Sequence, residues 1–171
     1  MTSQIELNVT AAARYENVRA LCHALRKKNN VGAIERAAEL LYPLLPHTVW
    51  LIPVPSHNGT AGVTMDLAVC LWGKAFAGKK KSVSILTGLT GKARESLYEM
   101  KKANRDISRY ELGMEADYHL QEMVRIAGER GVPVMLLDTV VDTGTTATAA
   151  AHATGINKIL CVGSTENHKN L

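Results

Sequence analysis

Asp138 and Asp142 frame the start of a loop, Thr143-Gly144-Thr145-Thr146, in which three hydroxyl side chains surround one glycine. The four apolar residues before Asp138, Val134-Met135-Leu136-Leu137, predict a short buried strand with the Asp138 carboxylate at its carboxyl end. A carboxylate there accepts hydrogen bonds from a sugar diol. Gly144 lets the backbone approach an anion closely, and the threonines add donors. The loop then feeds a helix, whose unpaired N–H groups and dipole favour a phosphate. Strand, acid, Thr/Gly loop and helix together form a cradle for a ribose 5-phosphate. The competing reading is an ordinary strand–turn–helix in which Asp138 and Asp142 only cap the helix.

The run from Val134 to Thr146 resembles the signature with which type I phosphoribosyltransferases bind 5-phosphoribosyl-1-pyrophosphate (PRPP): an apolar strand, two acids, two apolar residues and a Thr-Gly loop. Asp138 matches the first acid, and Thr139 stands where the second is expected. In the family the acid pair binds the ribose 2′ and 3′ hydroxyls, and a threonine there still hydrogen-bonds but adds no charge. Asp142 occupies a place where hypoxanthine-guanine phosphoribosyltransferases carry an aspartate assigned to the purine N7. The resemblance therefore implies Asp138 and Asp142 as catalytic residues. It also implies Asp138, Thr139, Asp142, Thr143, Gly144, Thr145 and Thr146 as the PRPP site. The activity implied is transfer of ribose 5-phosphate to a nucleobase, with a 6-oxopurine slightly favoured by Asp142, and release of pyrophosphate. Mg²⁺ bridged by the substrate is the implied cofactor, and no dedicated metal site is expected. Thr139 supports a second reading, a non-catalytic PRPP- or nucleotide-sensing regulator on the same fold.

Two further loops belong to this expectation. Pro53-Val54-Pro55-Ser56-His57-Asn58-Gly59-Thr60 follows a predicted strand, where the family places its pyrophosphate loop, often with a strained or cis peptide. The resemblance assigns Ser56, His57, Asn58 and Gly59 to pyrophosphate, whereas taken alone the run is equally a turn capping the next helix. Residues Gly88 to Leu112 occupy the place of the family's flexible catalytic loop and carry Lys92, Arg94, Lys101, Lys102, Arg105 and Arg109 among Glu95, Glu99 and Asp106. Such a lid excludes water and neutralises a leaving group; a solvated charged helix accounts for the same residues.

The elements that must position these loops follow from periodicity. Tyr15, Val18, Cys22 and Leu25, then Val31, Ile34, Ala38 and Leu41, predict two amphipathic helices opening the chain. Thr48 to Val54, Ser82 to Leu86, Val134 to Leu137 and Lys158 to Val162 read as strands. Thr60 to Ala77, the stripe Ala116, Leu120, Met123, Val124 and Ala127, and Thr146 to Thr154 read as helices, and Ala93 to Lys102 also allows one. Trp50, Trp72 and Phe76 are expected in the core. Strands alternating with helices predict an α/β fold, a parallel twisted sheet with helices on both faces, and ligand loops at the carboxyl ends of the strands.

The 171 residues suffice for a single domain, of which residues 1–46 form a helical segment available as a hood over the base. With 46% hydrophobic and 21% charged residues the composition is that of a soluble globular protein. No apolar run reaches the ~20 residues of a bilayer span, so no membrane partner is expected. Cys22, Cys70 and Cys161 form no metal-ligand spacing and fit a reduced, cytoplasmic protein. The formal charge of +4 suits an anionic substrate, while 5% aromatics argues against a base-stacking nucleic-acid surface. The expected partners are PRPP, a nucleobase and a second copy of the chain in a homodimer.

Overall fold

A computed structural model describes residues 5–93, 97–104 and 112–165. Its centre is a five-stranded sheet in the order β1 (Asn8–Arg14), β7 (Lys158–Ser164), β6 (Val134–Val141), β2 (Thr48–Pro53), β3 (Ser82–Ile85), all parallel. The α/β class and the parallel sheet are as the alternation of elements predicts. All five carboxyl ends therefore lie along one edge of the sheet.

Helices cover both faces. On the first, α1 (Tyr15–Leu25), α2 (Val31–Leu41) and α3 (Gly62–Gly78) bury Cys22, Leu25, Ala37, Ala38, Leu41, Leu67 and Leu71 against Leu51, Leu137, Leu160 and Val162. On the second, α5 (Tyr118–Arg130) and α6 (Thr145–Thr154) bury Leu120, Ala127, Ala147, Ala150 and Ala151 against Ile52, Leu136, Ile159 and Cys161. The central strands read as continuous apolar runs because both their faces are covered. Each fully buried leucine contributes roughly 1.5–3 kcal/mol relative to its exposed state. A six-residue helix, α4 (Leu97–Lys102), and an antiparallel ribbon of β4 (Leu89–Thr90) and β5 (Glu115–Ala116) lie between β3 and α5.

Local chemistry ends the helices where the sequence marks them. Asn30 caps α2 by accepting from the Ala33 amide at 3.1 Å, and its own amide donates to Ala24 O, joining the two helices. Asp117 caps α5 through the Leu120 amide at 2.8 Å. Gly131 and Gly155 take the left-handed conformation that closes α5 and α6.

Two expectations need correction. Residues 1–46 are not helical throughout: β1 precedes α1 and pairs with β7 from Asn8↔Lys158 to Arg14↔Ser164. Its run Val9-Thr10-Ala11-Ala12-Ala13 carries no polar/apolar alternation, so pairing rather than pattern makes it a strand. α1 and α2 present their apolar stripes to the sheet as core. Trp72 and Phe76 are exposed rather than buried, and Trp50 is half-buried. The basic turn Lys79–Lys81 is also partly structural. The Lys81 ammonium donates to Tyr42 O at 2.8 Å and Leu45 O at 2.7 Å and lies 4.9 Å from the Tyr42 ring centroid.

Candidate functional site

The sheet order itself makes a crevice. β2 passes through its loop into α3 on the first face, whereas its neighbour β6 passes into α6 on the second. Loops from adjacent strands that turn to opposite faces leave an opening between them, where open parallel sheets bind ligands. The pairing fixes which residues flank it. β2 and β6 stay in register to Pro53↔Leu137, and the Val54 amide donates to Leu137 O at 2.9 Å. Beyond that point β2 ends, while β6 runs on to Val141 against β7. The strand expected to stop at Leu137 is thus four residues longer, and Asp138 and Thr139 lie within it.

The pleat is interrupted there. Asp138 is paired with Cys161 and Val140 with Gly163, but the Thr139 amide donates to the Asp138 carboxylate Oδ1 at 2.7 Å. Across this step the alternation slips: Leu137 and Val140 both pack on the first face, and Val141 on the second. β7 accommodates the slip with a glycine, since a Cβ at Gly163 would stand 2.9 Å from Val18 Cγ2 and 3.2 Å from Tyr15 Cα. Val18 is itself the non-helical point of α1.

Burial pushes the Asp138 carboxyl up from 3.8 to about 7, opposed by the Thr139 amide that favours the ionised form. Beside it on β7, burial and the neighbouring Asp138 charge push the Cys161 thiol up to about 12, so it remains a thiol. The raised acid has a definite consequence for stability. Between 3.8 and about 7 the folded protein holds a proton that the unfolded chain has lost, so folding is favoured as pH falls through 7 and penalised above it. Urea unfolding should show the wild type losing stability from pH 5 to pH 8 by an amount on the order of a few kcal/mol that Asp138→Asn does not lose. Identical pH slopes in the two proteins would show that the carboxyl is not desolvated.

After Val141 the chain enters the loop. Thr165 Oγ1 donates to the Asp142 carboxylate at 2.8 Å and contacts Asp142 O at 3.1 Å, while the Thr165 amide donates to Val141 O. Asp142 is thereby oriented by the segment leaving β7, a partner that no local pattern marks. Gly144 is buried, has φ 82°, and forms the N-cap of α6; its carbonyl accepts from the Thr148 amide at 2.7 Å. The first-turn amides that precede this bond have no intrahelical acceptor by position. Thr143 and Thr145 share a 3.0 Å hydroxyl contact, and Thr146 is half-buried beside them.

Across the crevice, the loop after β2 is held by its own side chains. Asn58 Oδ1 accepts from Ser56 Oγ at 2.8 Å and from the amide and hydroxyl of Thr60 at 3.0 Å each. Thr64, buried on α3, donates to Val54 O at 2.8 Å. His57 is exposed at the tip. All peptides among the described residues are trans, and the loop's left-handed residue is Gly59, φ 85°. A Cβ there would stand 2.5 Å from Gly91 O, and the Gly91 amide donates to Gly59 O. The β4–β5 ribbon is therefore seated on this loop, and next to the ribbon the Lys92 amide donates to Leu112 O at 3.3 Å. Of the expected lid residues, Arg94, Glu95, Arg105, Asp106 and Arg109 lie outside the described residues, as does the side chain of Lys101; Lys92, Glu99 and Lys102 are exposed.

The residues expected at the PRPP loop and at the pyrophosphate loop thus lie at or after the carboxyl ends of the adjacent strands β6 and β2. Thr64, Cys161 and Thr165, which support them, were not distinguishable in the sequence from ordinary strand and helix residues. Among the described residues no group of three or more His, Cys, Asp or Glu is placed to hold a metal ion, and no helix is long and apolar enough to cross a membrane. The three cysteines are free. No protein-family model matches the chain, and no curated protein matches it.

Proposed function

We propose that the protein is a phosphoribosyltransferase of the type I kind, transferring ribose 5-phosphate from PRPP to a nucleobase and releasing pyrophosphate. The observation that carries the reading is the glycine-led loop at the head of α6, set across the β2–β6 crevice from a second loop with its own glycine. The 5-phosphate binds the hydroxyls of Thr143, Thr145 and Thr146 and the first-turn amides of α6, of which the Thr145 amide donates at 3.4 Å to Thr143 Oγ1 and exchanges that partner for the phosphate. Asp138 accepts from the ribose diol in its ionised form, so PRPP binding displaces its proton near neutral pH. Thr139, in the second acid's place, contributes no charge.

In the reaction a ring nitrogen of the base bonds to the ribose C1, the bond to pyrophosphate breaks, and the leaving group departs with its electron pair. The ring nitrogen's proton passes to Asp142, which Thr165 orients. Ser56, His57, Asn58 and Gly59 hold the pyrophosphate, although Asn58 also maintains the loop's shape. Asp138 would be the side chain available to a substrate-borne Mg²⁺, which would supply charge neutralisation of pyrophosphate. The chain's own work is to position the diol and phosphate, to exclude water and to take the proton. A homodimer and a cytoplasmic setting complete the reading.

Thr139 and the half-buried, desolvated Asp138 favour one alternative, a PRPP-sensing regulator on the same frame. Pyrophosphate release measured with PRPP, Mg²⁺ and a panel of purine and pyrimidine bases separates the two. Release with at least one base, dependent on Asp142, supports the enzyme. PRPP binding without release for every base selects the sensor, and absence of PRPP binding overturns both.

A further inference from the structure

α3 is apolar on both sides. Its inner face buries Thr64, Leu67, Ala68, Leu71 and Ala75, while Val69, Trp72 and Phe76 are 50%, 46% and 73% exposed on the outer face, with Met65 half-buried in line. These four residues fall at intervals of four, three and four, one straight stripe along the helix. Trp72 and Phe76 are stacked, with centroids 5.5 Å apart and planes at 19°, so the stripe presents a fixed aromatic surface. Gly73 flanks it with open space where a side chain would be, which lets another helix approach closely.

The spacing is that of a surface matched to itself. Met65 and Phe76 are equidistant from the midpoint between Cys70 and Leu71, and so are Val69 and Trp72. Two copies of α3 laid antiparallel about a two-fold axis at that midpoint bring Met65 onto the partner's Phe76 and Val69 onto the partner's Trp72. The first pair is a sulfur–aromatic contact and the second places a tryptophan, a common interface anchor, beside the axis. Charge agrees with this direction. Asp66 is exposed near the start of α3, and Lys79 and Lys80 are exposed just after its end. Antiparallel packing brings the acid of one copy toward the bases of the other, whereas parallel packing sets like charges together.

We infer that this face of α3 is the interface through which two copies of the chain form an isologous dimer. The interface does not depend on the proposed catalytic reading, because its residues are not those of the crevice.

Sedimentation velocity of the full chain from low to high micromolar concentration tests it. The wild type is expected to sediment as a dimer, and Phe76→Glu as a monomer with unchanged circular dichroism. Asp66→Lys should weaken the dimer, and adding Lys79→Glu and Lys80→Glu should restore it, a rescue that fixes the antiparallel direction. A wild type that stays monomeric overturns the inference, as does a dimer that persists in Phe76→Glu. Monomeric wild type that instead floats with phosphatidylcholine vesicles, and loses that binding in Phe76→Glu, assigns the stripe to a lipid surface and also overturns it.

Discussion

Replacing Gly144 by valine is expected to abolish PRPP binding. Gly144 sits at φ 82°, is buried, and caps α6, so a side chain there meets two obstacles. A left-handed non-glycine residue costs roughly 1–2 kcal/mol, and a branched one more. The added bulk also stands where the proposed 5-phosphate site meets the first-turn amides. Losing two charge-assisted hydrogen bonds, each worth about 1.5–3 kcal/mol, weakens binding by roughly a hundredfold or more. Gly144→Ala shares the backbone strain with less bulk and should bind PRPP at an intermediate affinity. Isothermal titration with PRPP and Mg²⁺, alongside urea unfolding, separates strain from obstruction. Unchanged affinity in either folded variant would remove the phosphate from this loop and with it the proposed activity.

Asp142→Asn and Asp138→Asn should fail in different ways. The asparagine at 142 keeps the shape and the contact with the Thr165 hydroxyl, which donates to Asp142 Oδ1 at 2.8 Å, but it cannot take a proton. Turnover should fall by roughly 10²–10⁴-fold, the usual worth of a positioned acid or base, with PRPP affinity little changed. Asp138→Asn removes the proposed acceptor for the ribose diol and should weaken PRPP binding itself. It should also be the more stable protein above pH 7, because the desolvated carboxylate is gone. The paired measurements are pyrophosphate release and PRPP titration. Small and equal effects in both variants would make the two carboxylates caps and favour the sensor.

Local pattern made much of the frame legible. A run such as Val134-Met135-Leu136-Leu137 has few alternatives to a buried strand, and the breaks at Asn29-Asn30, Gly131 and Gly155 mark helix ends because the backbone there needs a cap or a left-handed residue. The loop at Gly144 stood out for the same reason. β1 did not, because an alanine-rich edge strand carries no period of its own and exists through its pairing with β7. Nor did the length of β6, since Asp138 and Thr139 look like the start of a loop until the β7 ladder claims them. The outward turn of Trp72 and Phe76 was hidden because α3 is apolar around its circumference, so composition does not say which face meets the sheet.

By itself, then, the sequence determined the α/β alternation, the strand–loop–helix at Asp138 to Thr146 and the likeness that this run carries, all of which are encoded within short stretches of neighbouring residues. The tertiary structure decided what depends on residues far apart in the chain. It set β2 beside β6 with their loops turned to opposite faces, desolvated Asp138 beside Cys161 and raised its pKa, gave Asp142 its partner in Thr165, and left the Met65–Phe76 stripe uncovered. Strand order, desolvation and exposure are properties of packing, and a chain read residue by residue contains them only through the contacts that folding makes.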